Sequence, residues 1–96
     1  MDIGFVWDQN KYREVQEKHR VQFYEAVAAF DDPYGFEVSD LSGYEDRSRW
    51  IGATAAGRVL VVVYSASQED LPLYRFITVF DAVGSLRDEY YRRRGI

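Results

Sequence analysis

Cysteine is absent from all 96 residues, which removes disulfides, thiolate metal sites and thiol nucleophiles together. Proline occurs only twice, and no repeat or low-complexity stretch interrupts the chain. Long apolar runs are missing too. The longest, Val59 to Tyr64, falls far short of the roughly 20 residues a helix needs to cross a bilayer. Positive net charge is also lacking: the formal charge is −4 and the pI near 4.9, which argues against a general nucleic-acid coat. Met1 to Gly4 shows no basic stretch leading into an apolar one, so no secretory signal is expected, and the cytoplasm is the expected location.

What remains is good core material. Hydrophobic residues make up 47% and aromatic residues 17%, well above a disordered composition, so residues 1–96 are expected to fold as a single domain. The acids spread over the first two thirds, while Arg87, Arg92, Arg93 and Arg94 gather near the end, so a local basic patch on an acidic protein is compatible with the total.

Periodicity then orders the elements. Ile3, Phe5 and Trp7 alternate as a short strand, and Asp8 has the carboxylate that suits a helix N-cap. Gln9 to His19 reads as a helix with Tyr12, Val15 and His19 on one stripe, and Lys18 and His19 meet its negative end. Val21 to Phe30 reads as a second helix, with Phe23, Ala26, Val27 and Phe30 at helical spacing, and Asp31-Asp32-Pro33 stops it. The period then shortens to two. Strands are expected at 34–38, 47–54, 59–64 and 73–80, with turns through 39–43, 55–57 and 67–70 and a helix over 81–94. Gly84 is expected to weaken the start of that helix by roughly 1 kcal/mol. Short turns require antiparallel hairpins. The fold class is therefore α+β, in the order β-α-α-β-β-β-β-α, with two N-terminal helices and a C-terminal helix packed on a mainly antiparallel sheet. The helices are expected to cover one face.

Phe5-Val6-Trp7-Asp8, Lys11, Lys18-His19, Val21, Phe23, Glu25-Ala26 and Phe30-Asp31-Asp32-Pro33 form an ordered series. It continues through Glu45-x-Arg47, Gly57 to Tyr64, and Arg75-x-Ile77-Thr78. In this series the chain resembles the BrnT toxins of type II toxin-antitoxin systems. The resemblance implies a RelE-like fold, RNA cleavage without metal or cofactor, and neutralisation by a BrnA-like ribbon-helix-helix antitoxin. DNA would be reached only through the antitoxin complex, and no membrane partner is implied. Two departures carry physical consequences. Arg20 stands where the family has a glycine closing the first helix, so it either bears a left-handed conformation or the corner is rebuilt. Phe80 stands where the family pattern Arg-x-Ile-Ser-Ala-Arg ends in a second arginine.

Metal-free RNA cleavage needs a base for the 2′-hydroxyl, cations for the phosphorane and an acid for the leaving oxygen. The expected catalytic set is His19, Glu45, Arg47, Arg75 and Thr78, with Lys18, Arg49 and Arg58 as RNA contacts. His19 has the one side chain whose free pKa lies near neutrality. Each group also has a plainer reading. A histidine closing a helix is commonly a dipole partner, Arg47 and Arg49 suit a solvated strand face, and Glu45 with Arg47 makes an ordinary surface pair. Residues 76, 78 and 80 are expected on one strand face, opposite 75, 77 and 79. A second function stays open: a binding or regulatory module on the same fold with weak or no catalysis, because a phenyl ring cannot neutralise a phosphate.

Overall fold

The computed structural model describes residues 4–39, 47–66 and 73–95 and shows the expected element order. The elements are β1 (Gly4–Trp7), α1 (Gln9–His19), α2 (Phe23–Phe30), β2 (Phe36–Ser39), β3 (Arg47–Ala53), β4 (Val59–Ala66), β5 (Leu73–Asp81) and α3 (Gly84–Arg94). The expectations made for Ile3, for Glu45 and for the turn positions 40–43 and 67–70 lie outside the described residues.

Local chemistry explains the boundaries. Asp8 caps α1 by accepting from the amides of Asn10 and Lys11 at 3.0 and 3.1 Å. α2 begins two residues later than the sequence suggests, because Gln22 is extended at its N-cap and its amide donates to the Glu25 carboxylate at 3.0 Å. α1 ends at Arg20, which takes φ 55 and ψ 45 while its amide reaches the carbonyls of Val15 and Gln16. Arg20 thus bears the left-handed conformation, the only non-glycine among the described residues to do so. At the other end, β5 runs through Asp81, which pairs with Leu60, so α3 starts at Gly84 rather than at residue 81. Gly84 has φ +59, so the glycine meets a backbone demand there and does not simply weaken a helix interior.

The five strands form one sheet in the order β1-β5-β4-β3-β2. β2 to β5 pair antiparallel and β1 adds to β5 in parallel. Helices cover both faces, which corrects the one-face expectation. The reason lies in β4, where every residue from Val59 to Tyr64 is buried. Leu60, Val62 and Tyr64 join Val15, Val21, Ala26 and Ala29 of the helical hairpin and its connection, together with Phe76 and Val79. Val59, Val61 and Val63 face the other way, into a cluster with Phe36, Ile51 and Tyr90 of α3. A strand apolar on both sides must be covered twice.

The hairpin face is rich in rings. Phe30 lies 5.6 Å from Phe5, 5.4 Å from Trp50 and 4.8 Å from Tyr64, centroid to centroid. α2 sits very close to β3: the Trp50 indole donates to the Ala29 carbonyl at 2.7 Å, and a Cβ on Gly52 would come within 2.0 Å of that same oxygen.

Candidate functional site

The sheet register decides which charged side chains share a surface. Arg47, Arg49, Ile51 and Ala53 of β3 pair with Ser65, Val63, Val61 and Val59 of β4, all on the α3 side. On β5, Arg75 pairs with Ser65, and Phe76 with Tyr64. The register then slips, so that Thr78 pairs with Val63, Val79 with Val62 and Phe80 with Val61. Ile77 is the extra residue of a β-bulge. The bulge corrects the simple alternation expected from sequence: Phe76 faces the hairpin, whereas Thr78 and Phe80 face α3, together with Arg75. Bulges commonly re-aim a side chain in this way.

Successive rows therefore cross the α3 side of the sheet. Val6, Arg75, Ser65 and Arg47 form one row; Thr78, Val63, Arg49 and Val38 form the next; Phe80, Val61, Ile51 and Phe36 form the third. Arg75 and Arg47 are separated by two strand spacings, about 10 Å between backbones. Arg75 is exposed, and Arg47, Arg49 and Thr78 are half-buried. The Arg49 guanidinium donates twice to the Ser39 carbonyl, at 3.0 and 2.8 Å, which holds it along the β2–β3 edge. Three of the expected catalytic groups, Arg47, Arg75 and Thr78, and one expected RNA contact, Arg49, are thus neighbours.

His19 lies at a separate corner, beyond the third row. Its ring is 6.0 Å from that of Phe80, tilted by 50°. Arg58 builds this corner. Its guanidinium donates to Asp81 at 2.6 and 3.0 Å, to the His19 carbonyl at 2.6 Å and to the Arg20 carbonyl at 2.9 Å, with Glu25 at 3.6 Å. The Arg58 partner holds the Asp81 carboxyl below its usual range against the opposing effect of burial, with a smaller contribution from His19. Asp81 in turn raises Arg58 further above its ordinary value. Arg58 closes the α1 C-terminus and fixes the backbone of His19, a structural task that its place in the sequence did not reveal. Lys18 is exposed on the last turn of α1, and Glu45 lies outside the described residues. The sequence reading missed Asp81 as the partner of Arg58; the signal was available only in their positions at adjacent ends of β4 and β5.

A cavity of about 450 Å³ opens at the opposite end of β3, among Asp31, Asp32, Tyr34, Thr54, Tyr90 and Arg94. Its main polar groups are already engaged. Asp32 accepts from the Tyr90 hydroxyl and from the amides of Tyr34 and Ala53, at 3.0 and 2.8 Å for the amides. Burial pushes its carboxyl up, but these hydrogen bonds outweigh it and leave Asp32 below the usual range. Burial and Asp32 together push Tyr90 up to about 12, and burial with Glu37 does the same for Tyr64, so both phenols stay neutral packing groups. Among the described residues no group of three or more His, Asp or Glu gathers as a metal-ligand set.

An α+β protein with a cationic strip at one end of a sheet face is the class these features define. The chain belongs to the BrnT family: the family described as the ribonuclease toxin, BrnT, of type II toxin-antitoxin system matches residues 7–83, leaving α3 outside the match. The fold is similar to the crystal structure of the Brucella abortus ribonuclease toxin, BrnT, with a TM-score of 0.60 and 16% identity over 86% of this chain and 100% of that one. Comparison with curated proteins gives no match. No helix among the described residues is long and apolar enough to cross a membrane.

Proposed function

We propose that this chain is an endoribonuclease that cleaves RNA without a metal ion and is held in check by a BrnA-like ribbon-helix-helix antitoxin. The observation that carries this reading is the placing of Arg47, Arg49, Arg75 and Thr78 in adjacent rows on one sheet face. In this reading the guanidiniums grip the scissile phosphate and balance the growing charge of the phosphorane. The 2′-oxygen attacks phosphorus and gives up its proton to a base; the bond to the 5′-oxygen breaks as that oxygen takes a proton from an acid. The products are a 2′,3′-cyclic phosphate and a free 5′-hydroxyl. His19, whose backbone Arg58 holds at the corner beyond Phe80, stands outside hydrogen-bond reach of a phosphate on this strip and is left out of the proton transfers; Glu45 is assigned to the orientation of Arg47 or to one of those transfers. Thr78 donates its hydroxyl to the phosphate, and Lys18 extends the cationic surface. The antitoxin would act in the cytoplasm by covering the strip, and DNA would be contacted only by the toxin–antitoxin complex.

The test is cleavage of single-stranded RNA by the purified chain in the presence of a chelator. Fragments ending in cyclic phosphate are expected, with rates reduced about 100-fold or more in Arg47→Ala. Intact RNA with the unaltered chain would overturn the assignment. Phe80 favours the second reading, a binding or regulatory module of weak activity, because it puts a ring where the resemblance implies an arginine. That reading expects a tight complex with the antitoxin and no cleavage.

A further inference from the structure

We infer that Phe80, braced by His19, is a stacking ledge for one nucleobase of a single-stranded RNA whose phosphates lie on Arg47, Arg49 and Arg75. The inference rests on the ribonuclease reading and adds what holds the base. Because of the bulge at Ile77, Phe80 shares the sheet face of Thr78 and Arg75 and sits one row further along. Two strand residues place Phe80 about 7 Å beyond Thr78, within the reach of a single nucleotide bound on the arginine strip.

The burial of the ring suits this task. Phe76, the core ring of the same strand, is 1% exposed, whereas Phe80 is only half-buried against the Ile51–Val61 side of the core. The ring is thus fixed in place and partly open to solvent. His19 meets it at a 50° tilt, which supports the ring at an angle and does not cap it as a parallel stack would. A phenyl group offers nothing to a phosphate, but every base has a π-face, and aromatic ledges bind single strands with little sequence preference. A base must leave its helix to reach such a ledge, so the substrate class is unpaired RNA.

The test compares binding of two uncleavable 2′-O-methyl hexanucleotides to the full chain by fluorescence anisotropy, one with all bases and one abasic. The unaltered chain is expected to prefer the oligonucleotide with bases. Phe80→Leu, which keeps an apolar side chain of similar bulk for the core, should weaken that ligand about 5- to 100-fold and leave the abasic one unchanged. Phe80→Trp should restore the preference. If the unaltered chain binds both ligands equally well, or Phe80→Leu changes neither, the stacking ledge is refuted while the arginine strip stands. If the unaltered chain binds neither, the strip fails and the ledge falls with it.

Discussion

The two faces of the sheet are made by the same strands yet do opposite work. On the hairpin side, Leu60, Val62, Phe76 and Val79 lie under α1 and α2, and rings fill the remaining space out to Phe5 and Tyr74. On the α3 side, the apolar rows stop partway: Val59, Val61 and Ile51 are covered, and beyond them come Arg49, Thr78, Arg47 and Arg75. α3 docks at the end near Asp32 and Phe36, where Tyr90 meets Asp32 and the Arg93 guanidinium lies 4.2 Å over the Phe36 ring. One face is thus given wholly to stability, while the other divides between stability and a charged surface. Position within a strand, and not residue type alone, decides which task a side chain has.

Two substitutions break this contrast from opposite sides. Gly52→Ala attacks the hairpin face, where the new methyl would press on the Ala29 carbonyl, a backbone atom with little room to move. A loss of about 3 kcal/mol is expected, read from urea unfolding. Arg75→Ala attacks the other face. Its side chain is exposed, so its unfolding free energy should stay within about 0.5 kcal/mol of the parent while RNA cleavage falls sharply. If Arg75→Ala unfolds the protein, or Gly52→Ala leaves its stability intact, the division between the faces is wrong.

A smaller effect is expected where α3 is pinned. Asp32→Ala would leave the Ala53 amide and the Tyr90 hydroxyl without their partner, at a cost of about 2 kcal/mol near neutral pH. The pH dependence has a definite sign at each end. The folded carboxyl of Asp32 titrates below its ordinary 3.8, so its contribution is complete above that value and is lost as the pH falls through the lower, folded value. Tyr90 runs the other way: raised from 10.0 to about 12, it stabilises fully below pH 10 and loses that contribution as the pH climbs towards 12. Chemical unfolding across both ranges should show Asp32→Ala flattened on the acid side. Tyr90→Phe should be flattened on the alkaline side, with the share of Tyr64 remaining.

The sequence made some of this plain and hid the rest for physical reasons. Asp8 was legible as a cap and the β4 run as a strand, because both are properties of neighbouring residues. The bulge was not, since register belongs to a pair of strands and a slip of one residue reverses every side chain after it. Asp32 read only as a helix stop, although it joins α2, β3 and α3. Gly52 gave no signal at all, because its necessity comes from Ala29 on another element. The arginines of the candidate site were visible as residues, but that Arg75 and Thr78 share a face followed from the bulge alone. Arg58 looked like one more RNA contact until its hydrogen bonds to Asp81 and to the end of α1 placed it in the frame.

Arg20 sharpens the comparison at the seam between the faces, where the hairpin side ends and the His19 corner begins. Its φ of 55 puts an L side chain in a region that disfavours a Cβ by roughly 1–2 kcal/mol. Glycine would remove that strain but widen the unfolded ensemble, so Arg20→Gly should gain about 0.5–1 kcal/mol, seen as a higher urea midpoint. The carbonyl that Arg58 uses is a backbone atom, so the substitution keeps that hydrogen bond. Arg20→Ala retains the Cβ and should gain nothing, which separates backbone strain from the loss of a charge. If alanine stabilises as much as glycine, the strain is not what the Arg20 side chain imposes, and charge near Arg58 is the better account.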